Sequence, residues 1–162
     1  MTKSLKKTWP TAVYQHVVPF HDCDPLRIVW HGHYYKYLEF AREALFRKCR
    51  LRPEDLMGLG YAMVVIESRC RYVSSLRHRD HYSVKARIVD CEQRIRIAYE
   101  VKNLTDGNKR VARAWTTLVV THNGAMLMQT PAEILRRLTD PTGPTSPAET
   151  EIQTDDEPIR RP

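Results

Sequence analysis

Apolar residues follow two different periods along this chain, and each period predicts a different kind of element. Residues 12–20 are rich in Val, Tyr and Phe, a composition that favours a β-strand. From His33 to Cys49 the apolar residues return every three or four positions, which is the spacing of one helix face. Further aromatic residues widen this face, so we expect a helix that is enclosed on several sides. The face consists of Tyr34, Tyr37, Leu38, Ala41, Ala44 and Leu45.

The second half of the chain alternates apolar and polar residues with a period of two, which predicts antiparallel strands. Turn signals separate these strands: Asp106-Gly107 and Asn123-Gly124 both supply the positive φ of a tight hairpin. Two short helices complete the pattern. We predict strands at 61–74, 82–88, 95–101, 111–122 and 125–129, and short helices at 53–57 and 131–138.

One strand, one long helix and then a run of strands is the element order of an α+β fold, with the helix packed on one sheet of five or six strands. We predict a single domain over residues 11–139, a loose basic arm over 1–10 and a disordered tail over 140–162, which is rich in proline and acidic residues. A single copy would leave one sheet edge uncovered. We therefore expect a homodimer or homotetramer.

Charge is distributed unevenly along the chain. The net charge is +7, but the tail from Asp140 onward carries six acidic residues and two arginines, so residues 1–139 carry +11. A body this basic attracts polyanions. The candidates are nucleic acid, the phosphates of coenzyme A and the acidic surface of an acyl carrier protein, and charge alone does not choose among them.

The cellular location is predicted from segments that the sequence lacks. No apolar run approaches the length of a membrane-spanning helix, and no apolar signal core follows the basic N-terminus. The four cysteines are scattered without a C-x-x-C pair, which is more typical of reduced thiols than of a disulfide framework. We expect a cytoplasmic protein without membrane insertion.

The densest chemistry lies in residues 20–33, between the first strand and the long helix. Asp24 precedes Pro25, which disfavours helix at Asp24, and the helix begins near His31–His33. The first N–H groups of a helix have no partner within it and can hold a negative charge. A carboxylate and an oxyanion site would then lie within one loop.

Two other interpretations of this segment stay open on chemistry alone. Asp, Pro and Gly before a helix are ordinary turn and capping residues. The histidines and acids could instead bind a metal ion in a metal-dependent hydrolase. The candidate ligands are His21, Asp22, Asp24, His31 and His33.

The same stretch resembles the 4-hydroxybenzoyl-CoA thioesterase family, which includes the Tol-Pal-associated thioesterases. The resemblance is carried by Asp22-Cys23-Asp24-Pro25, by Ile28-Val29-Trp30 and by Tyr37-Leu38-Glu39-Phe40-Ala41-Arg42-Glu43, and it covers residues 12–138. It implies a hotdog fold, in which an antiparallel sheet wraps one long central helix. It differs at Leu26-Arg27, where the family often has glycine.

The resemblance also implies roles for individual residues. Asp24 is the nucleophile or general base, the His31 backbone N–H meets the thioester carbonyl, and Asp22 shapes the loop. Glu39 or Glu43 is the alternative catalyst, as in another hotdog branch. We expect Trp30 and Tyr34 to line the acyl site, and Arg77, His78 and Arg79 to meet coenzyme A phosphates or a carrier protein.

The sequence therefore predicts an acyl-CoA or acyl-carrier-protein thioesterase that needs no cofactor or metal. The alternatives are a non-catalytic acyl-thioester-binding protein and the metal-dependent hydrolase named above. We expect no nucleic-acid binding, for which Arg69, Arg71, Tyr72, Arg77 and Arg79 come nearest to the required mixture of cations and aromatics.

Overall fold

The computed structural model describes residues 9–141. Within them the chain forms six strands and three α-helices. In order these are β1 (Thr11–Val17), α1 (His33–Lys48), α2 (Pro53–Met57), β2 (Tyr61–Tyr72), β3 (His81–Asp90), β4 (Ile95–Asn103), β5 (Lys109–His122), β6 (Ala125–Met126) and α3 (Ala132–Thr139). The predicted N-terminal arm up to residue 8 and the predicted tail from residue 142 lie outside the described residues.

All strands belong to one antiparallel sheet with the order β1-β3-β4-β5-β2, and β6 pairs with the end of β5. The register places apolar residues on one face. In β3 the residues Tyr82, Val84, Ala86 and Ile88 are buried, while Lys85 and Arg87 between them are exposed. Strand side chains alternate between the two faces, so the apolar face meets the core and the charged face meets solvent.

Helix α1 packs on the apolar face, against β1 and β3. Five of its six periodic residues are buried as predicted, with Tyr37, Leu38 and Ala41 each at most 1% exposed, and Ala44 is only partly buried. The ring of Tyr37 stacks on that of Tyr82 with 4.4 Å between centroids, which joins the helix to strand β3. This arrangement confirms the predicted α+β hotdog fold.

The predicted strand 12–20 was too long. β1 ends at Val17, and Phe20–Asp22 forms a 3-10 turn instead. Pro19 explains the break, because it has no N–H to donate to the sheet. Similarly, β6 covers only Ala125–Met126 of the predicted 125–129.

Strand β2 is an edge of the sheet, and most of its side chains are exposed in the single chain. Val64, Val65 and Ile66 are 46%, 41% and 47% exposed. A run of exposed aliphatic residues on an unpaired strand edge is a typical surface for pairing with another strand.

Candidate functional site

The loop before α1 folds into a tight hairpin that fixes the backbone of Asp24. The Asp24 N–H donates to the Ile28 carbonyl at 2.9 Å, and the Arg27 N–H donates to the Asp24 carbonyl at 2.8 Å. Arg27 takes φ = 61°, in the left-handed region. This explains why the family often has glycine in this turn, because glycine enters that region without steric cost.

The Asp24 carboxylate is only half engaged by the protein. Its Oδ1 accepts the Leu26 N–H at 2.8 Å, which orients the side chain. Its Oδ2 has no hydrogen-bond partner among residues 9–141, and the residue is partly exposed. Asp24 is thus oriented through one oxygen and has the other available for a substrate or a water molecule.

The start of α1 supplies hydrogen-bond donors beside this loop. Gly32 is the N-cap, no side chain caps the helix, and its first turn contains no acidic residue. Within the described part of the chain, the N–H groups of His31 and Gly32 donate to no protein atom. Unpaired N–H groups at the positive end of a helix can hold an oxyanion.

Asp22 joins the loop to the helix. It is 1% exposed; its Oδ2 accepts the Tyr37 hydroxyl at 2.6 Å and its Oδ1 accepts Lys36 Nζ at 2.5 Å. Burial alone would raise the pKa of Asp22, but the hydrogen bonds from Lys36 and Tyr37 outweigh it and hold the pKa below its ordinary value. The Asp22 carbonyl also accepts the Trp30 N–H at 2.9 Å, so both ends of the Asp24 hairpin are anchored.

The indole of Trp30 covers the helix start. A Cβ atom on Gly32 would lie within 2.7 Å of three atoms of this ring, so only glycine leaves room for it. Trp30 is 47% exposed and its ring also contacts those of His31 and His33, at centroid distances of 5.0 and 5.3 Å. Trp30 therefore forms an accessible apolar wall beside Gly32 at the helix start.

Tyr34, the other predicted wall, is 2% exposed in the single chain, and burial raises its pKa to about 12. Its ring packs edge-on against Tyr72 at 5.1 Å. Tyr34 thus supports the site from within the core, and its predicted contact with substrate remains a prediction.

The predicted basic loop lies against the Asp24 hairpin although about 50 residues separate them in sequence. The Val29 N–H donates to the Leu76 carbonyl at 2.8 Å, and the Phe20 and His78 rings meet edge to face at 5.5 Å. Arg77, His78 and Arg79 are exposed. The fold thus brings these three predicted substrate-binding residues to the hairpin that carries Asp24.

The proposed metal ligands form a different kind of cluster. His21 and His33 approach Asp22 Oδ1 at 3.7 and 3.8 Å, but Lys36 already donates to that oxygen. Within residues 9–141, no group of three His, Cys, Asp or Glu side chains is arranged to hold a metal ion. Asp22 acts here as the acceptor in an ion pair.

The two helix glutamates border a separate cavity of about 540 Å³ between α1, α2 and β2. Glu39 is 69% exposed and lies 3.6 Å from Arg42, and Glu43 pairs with Arg47 at 2.7 Å. Most of the remaining lining is apolar and includes Phe46, Leu51, Leu56, Met63, Val65 and Leu118. The cavity therefore has a charged rim and an apolar interior.

Three contributors to the site were not identified as such from the sequence. Tyr37 and Lys36 donate hydrogen bonds to Asp22. The sequence pattern predicts an ordinary core residue at Tyr37 and a solvent-exposed residue at Lys36. Tyr72 was considered only for nucleic-acid binding, and its hydroxyl donates to the His31 carbonyl at 2.8 Å. These three contacts join residues that are 14 to 41 positions apart, so no local pattern could reveal them.

Comparison with known proteins adds an independent observation. A family model described as the thioesterase-like superfamily matches residues 18–138. A protein of Aquifex aeolicus (strain VF5) with the provisional name of an esterase is 26% identical over 129 residues, covering 79% of this chain and 98% of that protein.

Solved structures agree on the fold. A 1,4-dihydroxy-2-naphthoyl-CoA thioesterase from Synechocystis superposes with a TM-score of 0.71 at 18% identity, covering 80% of this chain and 96% of that one. The 4-hydroxybenzoyl-CoA thioesterase of Pseudomonas sp. strain CBS-3 gives a TM-score of 0.70 at 23% identity, covering 79% and 99%. At these identities, both structures establish a shared fold.

Proposed function

This chain belongs to the thioesterase-like superfamily, and on that premise we propose that it hydrolyses an acyl thioester of coenzyme A or of an acyl carrier protein to the free acid and the thiol. One observation carries the proposal. Asp24 offers an unengaged carboxylate oxygen in the hairpin that leads into the unpaired N–H groups of His31 and Gly32. Carboxylate and oxyanion donors are the two parts that acyl transfer requires.

Hydrolysis can follow two routes with these atoms. In the first, Asp24 Oδ2 attacks the thioester carbon, the thiolate leaves, and water cleaves the resulting mixed anhydride to return the free carboxylate. In the second, Asp24 removes a proton from a water molecule that attacks the same carbon. In both, the N–H groups of His31 and Gly32 hold the negative charge that develops on the carbonyl oxygen.

We propose that the acyl group extends between α1 and β2. Tyr72 at one end of β2 contacts His31 at the helix start, while Met63 and Val65 towards the other end line the apolar cavity. Glu39, on the cavity rim, lies seven residues beyond Gly32, or about 10 Å along the helix axis. A medium or long acyl chain would reach the cavity, whereas a single aryl ring would stop short of it.

The thiol-bearing part of the substrate would lie outward, at the basic loop. We propose that Arg77, His78 and Arg79 meet the phosphates of coenzyme A or the acidic surface of a carrier protein. The Arg77 N–H is held by Asp80 Oδ2 at 2.9 Å and the Arg79 N–H by the Val18 carbonyl at 3.0 Å, so the loop backbone is fixed.

We propose that the active form is a homodimer or homotetramer. The supporting feature is the edge strand β2, whose exposed Val64, Val65 and Ile66 a second copy would cover. Such pairing would also close the side of the acyl groove that β2 forms.

We further propose a cytoplasmic location, where coenzyme A and carrier-protein esters are made. Cys23, Cys49, Cys70 and Cys91 are all free thiols. No helix among residues 9–141 has the length and apolar character needed to cross a membrane.

The experiment is thiol release from a panel of acyl-CoA and acyl-carrier-protein esters, from benzoyl to long-chain acyl groups. We expect turnover by the wild type, best with aliphatic chains long enough to reach the cavity. Asp24→Asn should lower kcat roughly a thousandfold. The matched control is Asp106→Asn, which removes one exposed carboxylate from the β4–β5 turn and should leave kcat unchanged.

Each rival function gives its own result. Loss of activity in Glu39→Gln or Glu43→Gln, with Asp24→Asn still active, would show that the catalytic carboxylate is a glutamate of α1. Activity that stops with a chelator would indicate the metal-dependent hydrolase. A folded wild type that binds a non-hydrolysable acyl-CoA thioether but releases no thiol from any ester would be an acyl-thioester-binding protein.

A further inference from the structure

The outward face of the sheet carries a concentration of positive charge that the proposed hydrolysis does not use. We define the basic sheet face as Arg69, Arg71, Lys85, Arg87 and Arg113, which lie on β2, β3 and β5. All five are exposed. Among residues 9–141, none of them has a carboxylate within ion-pair distance, although exposed cations elsewhere in the chain often do.

The sheet register brings these cations into two neighbouring rows. Arg71 lies opposite Arg113, which is followed across the sheet by Glu100 and Lys85. The next row runs from Arg69 through Trp115 and Ala98 to Arg87. The face spans four strands, or about 14 Å at the usual strand spacing.

The acid within this face does not neutralise it. Glu100 accepts Arg110 Nε at 2.7 Å and lies 3.6 Å from Lys102 Nζ, so two other cations already engage it. The bond from Arg110, opposed in part by burial, holds the pKa of Glu100 below its ordinary value. Arg71 and Arg113 thus remain a directly opposed pair of like charges, which destabilises a sheet unless an anion lies between them.

We propose that the basic sheet face docks an acidic acyl carrier protein that presents the thioester to Asp24; this rests on the proposed function. The position supports such a partner, because Arg71 immediately precedes Tyr72, whose hydroxyl holds the His31 carbonyl. Successive strand side chains face opposite sides of the sheet, so Arg71 lies on the outward face at the end of β2 that contacts the helix start. A flexible thioester arm would pass around this end of β2 to reach Asp24. Strand pairing through the β2 edge would leave the outward face free, since pairing uses backbone groups in the plane of the sheet.

Other polyanions fit the face less well. One coenzyme A molecule has too few phosphates to engage cations across four strands. Nucleic acid bound to a sheet usually stacks its bases on aromatic side chains. Here the Arg69 guanidinium already lies 5.2 Å from the centroid of Trp115, and this ring is only partly exposed.

The test compares binding and turnover in Arg71→Glu/Arg113→Glu, which keeps a like-charge pair in the sheet and reverses its sign. The probes are a holo carrier protein for binding and the same acyl group on carrier protein and on coenzyme A for turnover. We expect the Kd for holo carrier protein to rise at least about tenfold at low salt, because complementary charge governs this kind of encounter. The KM for acyl-CoA should change less than about twofold.

Two control variants separate charge from position. Arg47→Glu/Arg136→Glu makes the same change in net charge on helices α1 and α3 and should bind carrier protein like the wild type. Arg71→Lys/Arg113→Lys keeps the charge of the face and should retain binding. Thermal unfolding of each variant verifies that it is folded.

Three results would overturn the docking proposal: an unchanged Kd in the reversed variant, an equal loss in the Arg47→Glu/Arg136→Glu control, or an equal rise in the KM for acyl-CoA. Tighter binding of a single-stranded RNA oligonucleotide through the same residues would also overturn it. Failure of the hydrolysis itself is a separate result. A wild type that binds holo carrier protein through this face but releases no thiol contradicts the proposed function and not the docking surface.

Discussion

The hydroxyl of Tyr72 donates a hydrogen bond to the backbone carbonyl of His31 at 2.8 Å. The bond links the last residue of β2 to the turn that begins α1, across 41 positions of sequence. Because it holds the carbonyl side of this turn, it helps to fix the direction of the N–H groups of His31 and Gly32. The edge strand β2, which we propose pairs with a second copy, thereby also orients the N–H groups that we propose as oxyanion donors.

Removing this hydroxyl should affect both stability and turnover. We expect Tyr72→Phe to lower the free energy of unfolding by about 0.5–1.5 kcal/mol, the usual net value of one hydrogen bond. The kcat should fall several-fold while KM changes little, since the N–H groups are proposed to act on the developing oxyanion. Urea unfolding and steady-state kinetics measure the two effects. Wild-type values of both would show that the bond has no positioning role.

The contact between Gly32 and Trp30 predicts that Gly32→Ala destabilises the wild type but stabilises a variant that lacks the indole. In the wild type, Gly32→Ala drives a Cβ into the indole and should destabilise the protein by about 1–3 kcal/mol. In a Trp30→Ala background the same change should stabilise it by about 0.5–1 kcal/mol, because Gly32 has helical dihedral angles (φ −67°, ψ −29°) in which alanine is preferred. Chemical denaturation of the four proteins forms a double-mutant cycle. Additive effects would contradict the contact.

Asp22 should contribute stability with a defined pH dependence. Its folded-state pKa lies below the ordinary value of 3.8, so the contribution is complete above that value and is lost as the pH falls through the lowered folded-state pKa. We expect Asp22→Asn to cost about 1–3 kcal/mol at pH 7, and the difference from the wild type to shrink below about pH 4.

Urea unfolding from pH 7 to pH 2.5 measures this dependence. Tyr37→Phe is the control, because it removes one hydrogen bond and leaves the Asp22 carboxylate in place. It should lose less stability than Asp22→Asn at pH 7. A difference between wild type and Asp22→Asn that is the same at pH 7 and pH 2.5 would show that the carboxylate is not stabilised as charged.

The hairpin of Asp24 contains one residue with a strained backbone, and a substitution at that position should relieve the strain. Arg27 has φ = 61°, which costs a residue with a side chain about 1–2 kcal/mol. Arg27→Gly should raise stability by up to about 1 kcal/mol, because the gain is partly offset by the greater freedom of glycine in the unfolded chain. Arg27→Ala should give no such gain. Thermal unfolding distinguishes the two, and equal midpoints would contradict the strain.

The sequence determined most of the secondary structure, because periodicity is a local property. Positions that return every three or four residues placed α1 within one residue of its observed ends, and alternation placed β3, β4 and β5. The misplaced end of β1 has a local cause as well, since Pro19 and the following turn interrupt an apolar run.

The site was predicted in part. Asp24, Pro25 and the helix start lie within nine residues, so sequence alone could place a carboxylate near a helix N-terminus. The engagement of Asp24 through one oxygen and the anchoring of the loop by Asp22, Lys36 and Tyr37 depend on side-chain geometry. No pattern of residue types specifies which oxygen stays unengaged.

The chain by itself therefore determined its elements, its excess of positive charge and the short segment that carries Asp24. Tertiary structure decided which distant residues meet: Tyr72 with His31, the basic loop with the Asp24 hairpin, and Arg71 with Arg113. The physical reason is that strand register is set by long-range backbone pairing and by burial of one whole face. A shift of one residue would turn every cation of the basic sheet face into the core, so the packed core fixes where the charge is displayed.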